Sequence, residues 1–121
     1  MKLGLITTLW KRHDLERIVI EANTKAAEKV CDLVYVCVGS EGDKSKEVAE
    51  GCEYVEYENV LSDKFQAGVD RAMTLNVDAM MIVGSDDLIS KAWFELAVGK
   101  IEEGYHCVLA RSLHFYEPGS S

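Results

Sequence analysis

Proline is nearly absent, with one residue in the 121-residue chain. No low-complexity run exists either, so composition predicts order everywhere except the ends. No apolar stretch approaches the roughly 18 residues that a membrane-spanning helix requires, which predicts no membrane span. Basic residues are in deficit: 13 Lys and Arg face 21 Asp and Glu, a net charge of −8. Most of such a surface repels a polyanion, which excludes nucleic acid as the expected partner. The glycine-rich phosphate loops G-x-G-x-x-G and Walker A are missing, and Gly39-Ser40-Glu41-Gly42 is a poor substitute for either. Cys31, Cys37, Cys52 and Cys107 form no C-x-x-C pair and no zinc-finger spacing, so they read as small core residues in a reducing compartment. The apolar run after Met1 and Lys2 is too short for a signal-peptide core with a cleavage site. Together these absences predict a cytoplasmic protein, in a cellular, viral or phage setting alike.

What is present is an ordinary globular balance, 48% apolar and 28% charged, in a length that suits one domain. Leu3 to Leu9 reads as a buried strand. Asp14 is placed to cap a helix over 14–29, with Leu15, Ile18, Val19, Ala22 and Ala26 at helical spacing. Leu33 to Val38 is a second strand, apolar on both faces. A turn-rich loop at 39–43 leads to a short helix, Lys44 to Glu50, stopped by Gly51. Cys52 to Tyr57 is a more polar third strand, suited to an edge. Ser62 caps a helix that reaches Leu75. Ala79 to Val83 is the most apolar strand and reads as the most buried. Ser90 caps a helix with the stripe Phe94, Ala97, Val98 and Ile101, and Gly104 stops it. Tyr105 to Phe115 reads as a last strand. Residues 1–118 are expected to form a single α/β domain, with 119–121 a frayed tail.

Apolar strands alternating with amphipathic helices predict a mainly parallel sheet with helices on both faces. In such sheets ligands bind outside the carboxyl ends of the strands. That directs attention to the loops around residues 8–12, 39–43, 59–66 and 84–88. Gly84-Ser85-Asp86-Asp87 is the sharpest feature. Two neighbouring carboxylates repel unless a hard divalent cation, which prefers oxygen ligands, removes the penalty. Such a cation can bridge a diphosphate and stabilise it as a leaving group. The competing reading is a loop in which Asp87 or Ser90 merely caps. Lys64 lies in the first turn of a helix, where its charge opposes the dipole and suits a nearby anion. It is followed by the small-residue patch Gln66-Ala67-Gly68. In Thr8-Leu9-Trp10-Lys11-Arg12, Trp10 is placed to stack on a base, and Lys11 or Arg12 to meet phosphate. For Lys64 and this run the plainer readings are solvated charges and a partly buried Trp.

Jointly these positions resemble the N-terminal, nucleotide-binding half of GT-A-fold glycosyltransferases of the inverting family 2 type, over nearly the whole chain. Thr8 to Arg12 is similar to the opening strand and its Asn-Arg or Lys-Arg turn. Val38-Gly39-Ser40 is similar to the Asp-Asp-Gly-Ser loop. Asn59 with Lys64-Phe65-Gln66-Ala67-Gly68 resembles the Asn-Ala-Gly helix start, and Ile82 to Asp87 the strand ending in Asp-x-Asp. The resemblance implies that Asp86 contacts ribose or metal and that Asp87 ligates Mn²⁺ or Mg²⁺ on the diphosphate. It places Thr8 and Arg12 against the nucleoside and Lys64 near the nucleotide or sugar. The sequence departs from the family in three respects. Gly84 replaces the first acid of Asp-x-Asp. Cys37 or Val38 replaces the base-reading Asp, with Glu41 or Asp43 as substitutes. No residue is assigned as catalytic base; His114 and Glu117 qualify only if the last strand bends back, and His114 otherwise reads as a strand-surface residue.

The expected function is therefore transfer of a sugar from a UDP- or GDP-type donor to an unidentified acceptor, with a divalent metal. The chain is expected to be the donor-binding segment of a longer enzyme, or a minimal form completed by oligomerisation. The alternative is a non-catalytic nucleotide-binding or assembly module of the same fold. A nucleotidyltransferase is a weaker third reading, because Thr7 to Arg12 contains no glycine. An unfinished sheet exposes apolar edges, so a homodimer is expected.

Overall fold

Four strands alternate with four helices in a computed structural model that describes residues 1–58 and 60–108. The strands are β1 (Lys2–Leu9), β2 (Asp32–Gly39), β3 (Glu53–Glu56) and β4 (Ala79–Ile82); the helices are α1 (His13–Ala27), α2 (Asp43–Val48), α3 (Leu61–Thr74) and α4 (Lys91–Glu102). All neighbouring strands pair in parallel, in the order β3-β2-β1-β4. β1 and β2 run in register from Lys2 opposite Asp32 to Leu9 opposite Gly39. This is an α/β protein with an all-parallel sheet, the arrangement of Rossmann-like folds.

Side chains alternate across a strand, so the sheet has two distinct faces. On one, Leu3, Leu5, Leu9, Tyr35 and Cys37 pack against Ile20 and Ala27 of α1, Val48 of α2 and Phe94 of α4. On the other, Ile6 and Val36 lie beneath Phe65, Val69 and Ala72 of α3. Right-handed crossovers explain the division. The steps from β1 to β2 to β3 run in one direction and set α1 and α2 on one face. α3 carries the chain back past β2 and β1 to β4, so it lands on the opposite face. The strand order reverses between β1 and β4.

α3 lies unusually close to the sheet because Gly68 has no side chain. A Cβ there would stand 2.5 Å from Ile6 Cγ2 and 3.0 Å from Val38 Cγ2. Within the small patch at 66–68, Gly68 is thus the helix-to-strand contact, while Gln66 is exposed and donates to Asp70.

Several expectations require correction. β4 is not the most buried strand. It ends the described sheet, and its side chains alternate, with Met80 42% and Ile82 56% exposed. An apolar run looks the same in sequence whether one face or both are covered. The apolar edge on which the dimer expectation rests lies here. The stripe expected for α1 is only partly right: Leu15, Ile18 and Ala22 are exposed, whereas Val19 is buried and Ala26 packs against the core, and the buried face is Glu16, Val19, Ile20, Asn23 and Ala27. Hydropathy misplaces the face because two of its five buried positions are polar. Asp14 and Ser62 do not cap; α1 and α3 start from Arg12 and Val60 with no side-chain cap. Ser90 does cap α4, accepting the Trp93 amide at 3.1 Å, and Gly104 ends it with φ 106°. Cys107 is exposed rather than part of the core, whereas Cys37 is buried. Tyr105 to Val108 carry no strand; Asn59 and 109–121, with His114, Glu117 and the tail, lie outside the described residues.

One core detail yields a stability test. Thr7 is 1% exposed, and its hydroxyl has no hydrogen-bond partner among the described residues. An unpaired buried hydroxyl is costly, and valine has nearly the same shape. Thr7→Val should stabilise the protein by about 1 kcal/mol, read as a higher urea midpoint at constant slope. A lower midpoint would mean that the hydroxyl is satisfied.

Candidate functional site

The reversal in strand order places the carboxyl ends of β1 and β4 side by side, and the loops that follow them meet there. Arg12 Nη1 stands 3.6 Å from Asp86 Oδ2, with the two side chains 59% and 51% exposed. An ion pair this open contributes little to stability. Its value is geometric, because it shows that a cation and a carboxylate from separate loops share one crevice.

The β1 loop is held in shape by buried and semi-buried acids. Glu16, in the first turn of α1, accepts the Trp10 amide on Oε2 at 2.7 Å and His13 Nδ1 on Oε1 at 3.0 Å. Glu41, in the loop after β2, accepts the Lys11 amide at 2.6 Å. His13 Nε2 lies 3.5 Å from the same Glu41 oxygen, at ion-pair rather than hydrogen-bond distance. The Lys11 amide above all, with His13 close by, holds the Glu41 carboxyl below its ordinary range. A depressed carboxylate supports the turn at neutral pH, and that support is lost as pH falls through the lowered value. Lys11 itself has φ 63°, in the left-handed region that a side chain adopts only under constraint. Its Nζ lies 4.4 Å from the centroid of the exposed Trp10 ring.

The β4 loop is held from behind. Asn23 on α1 is fully buried. Its Nδ2 donates to the Asp87 carbonyl at 2.9 Å and to the Tyr35 hydroxyl at 3.2 Å, and its Oδ1 accepts the Ile89 amide at 2.8 Å. Burial pushes the Tyr35 hydroxyl up to about 12, so it stays protonated. Asp87 folds back on its own turn, with Oδ2 accepting the Gly84 amide at 2.8 Å. A Cβ on Gly84 would stand 2.9 Å from that oxygen. Glycine at 84 therefore makes room for the Asp87 carboxylate.

Lys64 occupies a second position, at the ends of β1 and β2. It is 7% exposed, and its Nζ donates to Ser40 Oγ at 3.0 Å. This is not the solvated surface lysine of the plainer reading. Among the described residues no carboxylate forms an ion pair with it. Thr8, the penultimate residue of β1, lies opposite Val38 and points to the same face as Ile6. Thus Arg12, Asp86 and Asp87 are brought together, Lys64 joins Ser40, and no hydrogen bond or ion pair links the two groups among the described residues.

The donor set can be weighed against a cation. Among the described residues no three His, Cys, Asp or Glu side chains form a metal-binding group. Two exposed carboxylates suit a hard ion that draws its remaining ligands from phosphate and water, as Mg²⁺ commonly does. They do not suit a closed cage of protein ligands. Sequence reading missed Asn23 and Glu16; it singled out Glu41 as a substitute base reader and Ser40 as part of the loop after β2, not as the partners of the Lys11 amide and of Lys64. The available signal was a polar residue inside a buried helical stripe, at Asn23 between Ile20 and Ala27.

Compared with known proteins, the chain matches no family model and none of the curated proteins. Among the described residues no helix is long and apolar enough to cross a membrane.

Proposed function

We propose that the crevice at the ends of β1 and β4 binds the diphosphate of a nucleotide-sugar of UDP or GDP type together with Mn²⁺ or Mg²⁺, and that the chain serves sugar transfer as a GT-A-like donor-binding domain. The observation that carries this reading is the approach of Arg12 to Asp86 across the strand-order reversal. In this reading the Arg12 guanidinium would turn from Asp86 to a phosphate oxygen, and Asp86 would be one of the residues that hold the cation. Asp87 offers its second oxygen. A cation held by Asp86 and Asp87 would supply positive charge against the diphosphate leaving group when an acceptor hydroxyl attacks the sugar. Thr8 lines the nucleoside side, and Lys64 supplies a cation toward the sugar or phosphate. A cation and two basic side chains make anion binding compatible with the overall charge of −8.

One observation favours a second reading, a binding module without chemistry: no further acid or histidine joins the Asp pair in a metal-binding group among the described residues. The same experiment separates the two. Calorimetry with UDP and GDP should show binding that requires Mn²⁺ or Mg²⁺. Asp86→Ala and Arg12→Ala should each weaken it by about tenfold or more while changing the unfolding free energy by no more than about 0.5 kcal/mol, since exposed pairs contribute little. Asp87→Ala should also lower the midpoint slightly, because it frees the Gly84 amide. Metal-dependent binding without hydrolysis or transfer of a bound nucleotide-sugar selects the module. No metal-dependent binding of either nucleotide overturns both readings.

A further inference from the structure

His13, the first residue of α1, stands between two carboxylates from different segments. Its Nδ1 meets Glu16 Oε1 at 3.0 Å, and its Nε2 lies 3.5 Å from Glu41 Oε1. The Glu16 side chain is fully buried and that of His13 is 23% exposed. His13 Nε2 is shut off from solvent and has no hydrogen-bond partner among the described residues. Each carboxylate also accepts one amide of the turn after β1, Glu16 that of Trp10 and Glu41 that of Lys11. Glu41 is tied back in turn, its amide donating to the buried Ser45 hydroxyl of α2 at 3.2 Å. Glu41 follows Ser40, the partner of Lys64, and Lys11 and His13 flank Arg12. One imidazole therefore sits at the seam between the Arg12 wall and the Lys64 position.

A neutral imidazole carries a single ring proton. With that proton on Nδ1, toward the buried Glu16, Nε2 presents a lone pair to the Glu41 carboxylate. An imidazolium instead has N–H on both sides and gives each carboxylate a positive partner. We infer that His13 is a proton-operated clasp: charged, it fastens the loop after β2 to the turn after β1 through Glu41, and on losing its Nε2 proton it releases that loop. The clasp concerns the loops alone and holds whatever the crevice binds. Glu16 faces His13 from α1 and Glu41 from the loop after β2, while Asp14, next in α1, is exposed. Lys11 and Arg12 belong to its own turn; the Lys11 Nζ lies over Trp10, and Arg12 is paired with Asp86 of the β4 loop. Lys44 of α2 adds positive charge near Glu41. Arg17 is turned to Glu21 and to the Val48 and Glu50 carbonyls. The Lys11 amide foremost, and then His13, hold Glu41 below its ordinary range, so the Glu41 share of the clasp is lost only as pH falls through that lowered value. The His13 share depends on the added proton, so it is lost as pH rises through the titration of the imidazole. The clasp is closed between those two limits.

Nitrogen-15 NMR of the full chain tests the clasp. Imidazole spectra, with the His13 signal assigned by its loss in His13→Gln, follow the proton on each ring nitrogen. Water saturation transfer gives the exchange rates of the Trp10 and Lys11 amides at the same pH values, and their ratio cancels the base catalysis common to both. The Trp10 amide is the reference, because its partner Glu16 keeps the Nδ1 proton in either state. As pH rises through the His13 titration, Lys11 should exchange at least about threefold faster relative to Trp10. In Glu41→Gln the new amide oxygen can still accept from Lys11 but carries no charge for His13, so the ratio should stay flat over the same range. A flat ratio in the unaltered chain, an equal rise in Glu41→Gln, or a His13 that stays neutral while the protein is folded overturns the clasp. Nucleotide and metal play no part in these measurements, so their outcome is separate from that of the diphosphate reading.

Discussion

Gly68→Ala is expected to destabilise the protein by about 2 kcal/mol, and Gly68→Val to prevent α3 from docking. Two effects compete in the alanine variant. Alanine is the better helix former, by about 1 kcal/mol, and would stabilise an exposed helix. Here the new Cβ falls 2.5 Å from Ile6 Cγ2 and 3.0 Å from Val38 Cγ2. Both neighbours are β-branched and stiff at χ1, and Ile6 and Val38 are fully buried. Neither can swing away, so α3 must lift. Lifting opens the packing of Phe65, Val69 and Ala72 over Ile6 and Val36, and a close-packed core resists such a shift. The overpacking therefore outweighs the propensity gain. Urea unfolding reads the result as a lower midpoint at unchanged slope. An equal or higher midpoint would show that α3 stands farther from the sheet than described. The lift also withdraws Lys64, one turn nearer the start of α3, from Ser40, so the loop after β2 loses its tie to α3 in the same variant.

Asn23→Ala should remove about 2–3 kcal/mol, a large effect for a single polar residue. The side chain satisfies three groups at once: the Asp87 carbonyl, the Ile89 amide and the Tyr35 hydroxyl. Truncation leaves the buried Tyr35 hydroxyl and the two part-buried backbone groups to be satisfied by water or not at all. The cost falls on the turn that carries Asp86 and Asp87, so the local consequence exceeds the global one. Hydrogen exchange should show the Ile89 amide losing protection before the amides of β1 and β2. Metal-dependent nucleotide affinity should fall although no proposed ligand has been touched. An unchanged midpoint with Ile89 still protected would show that the turn holds itself.

Much of the fold was legible from elementary patterns. Apolar runs at 3–9 and 33–38, bounded by turn residues, marked β1 and β2. The alternation with helices implied the parallel sheet with both faces covered. Ser90 and Gly104 marked the ends of α4 because each acts through purely local chemistry, a hydroxyl cap and a left-handed stop. What was not legible depends on contacts distant in sequence. The exposed side of β4 follows from where the strand lies in the sheet, not from Ala79-Met80-Met81-Ile82. The buried face of α1 was only partly read, through Val19 and Ala26, because Glu16 and Asn23, polar by type, are buried with hydrogen bonds to the Trp10 amide and to the Asp87–Ile89 turn. Lys64 looked like a solvated lysine because only the close seating of Gly68 draws it inward. For the candidate site, Arg12, Asp86 and Asp87 were found from residue type and loop position, whereas the groups that hold their loops were not.

One element touches both walls of the crevice. Near its start, α1 fastens the Trp10 turn through Glu16; two turns later it fastens the Asp87 turn through Asn23. Those residues are seven positions apart, which on a helix sets them about 10 Å apart along the axis. α1 is in effect a ruler laid behind the opening, with a wall pinned at each mark. Sliding or tilting it carries both walls together and leaves the gap between them unchanged. Adding or deleting a single residue between the marks would turn one of them by about 100° around the axis, and the crevice would lose a wall while the sheet beneath it stayed whole.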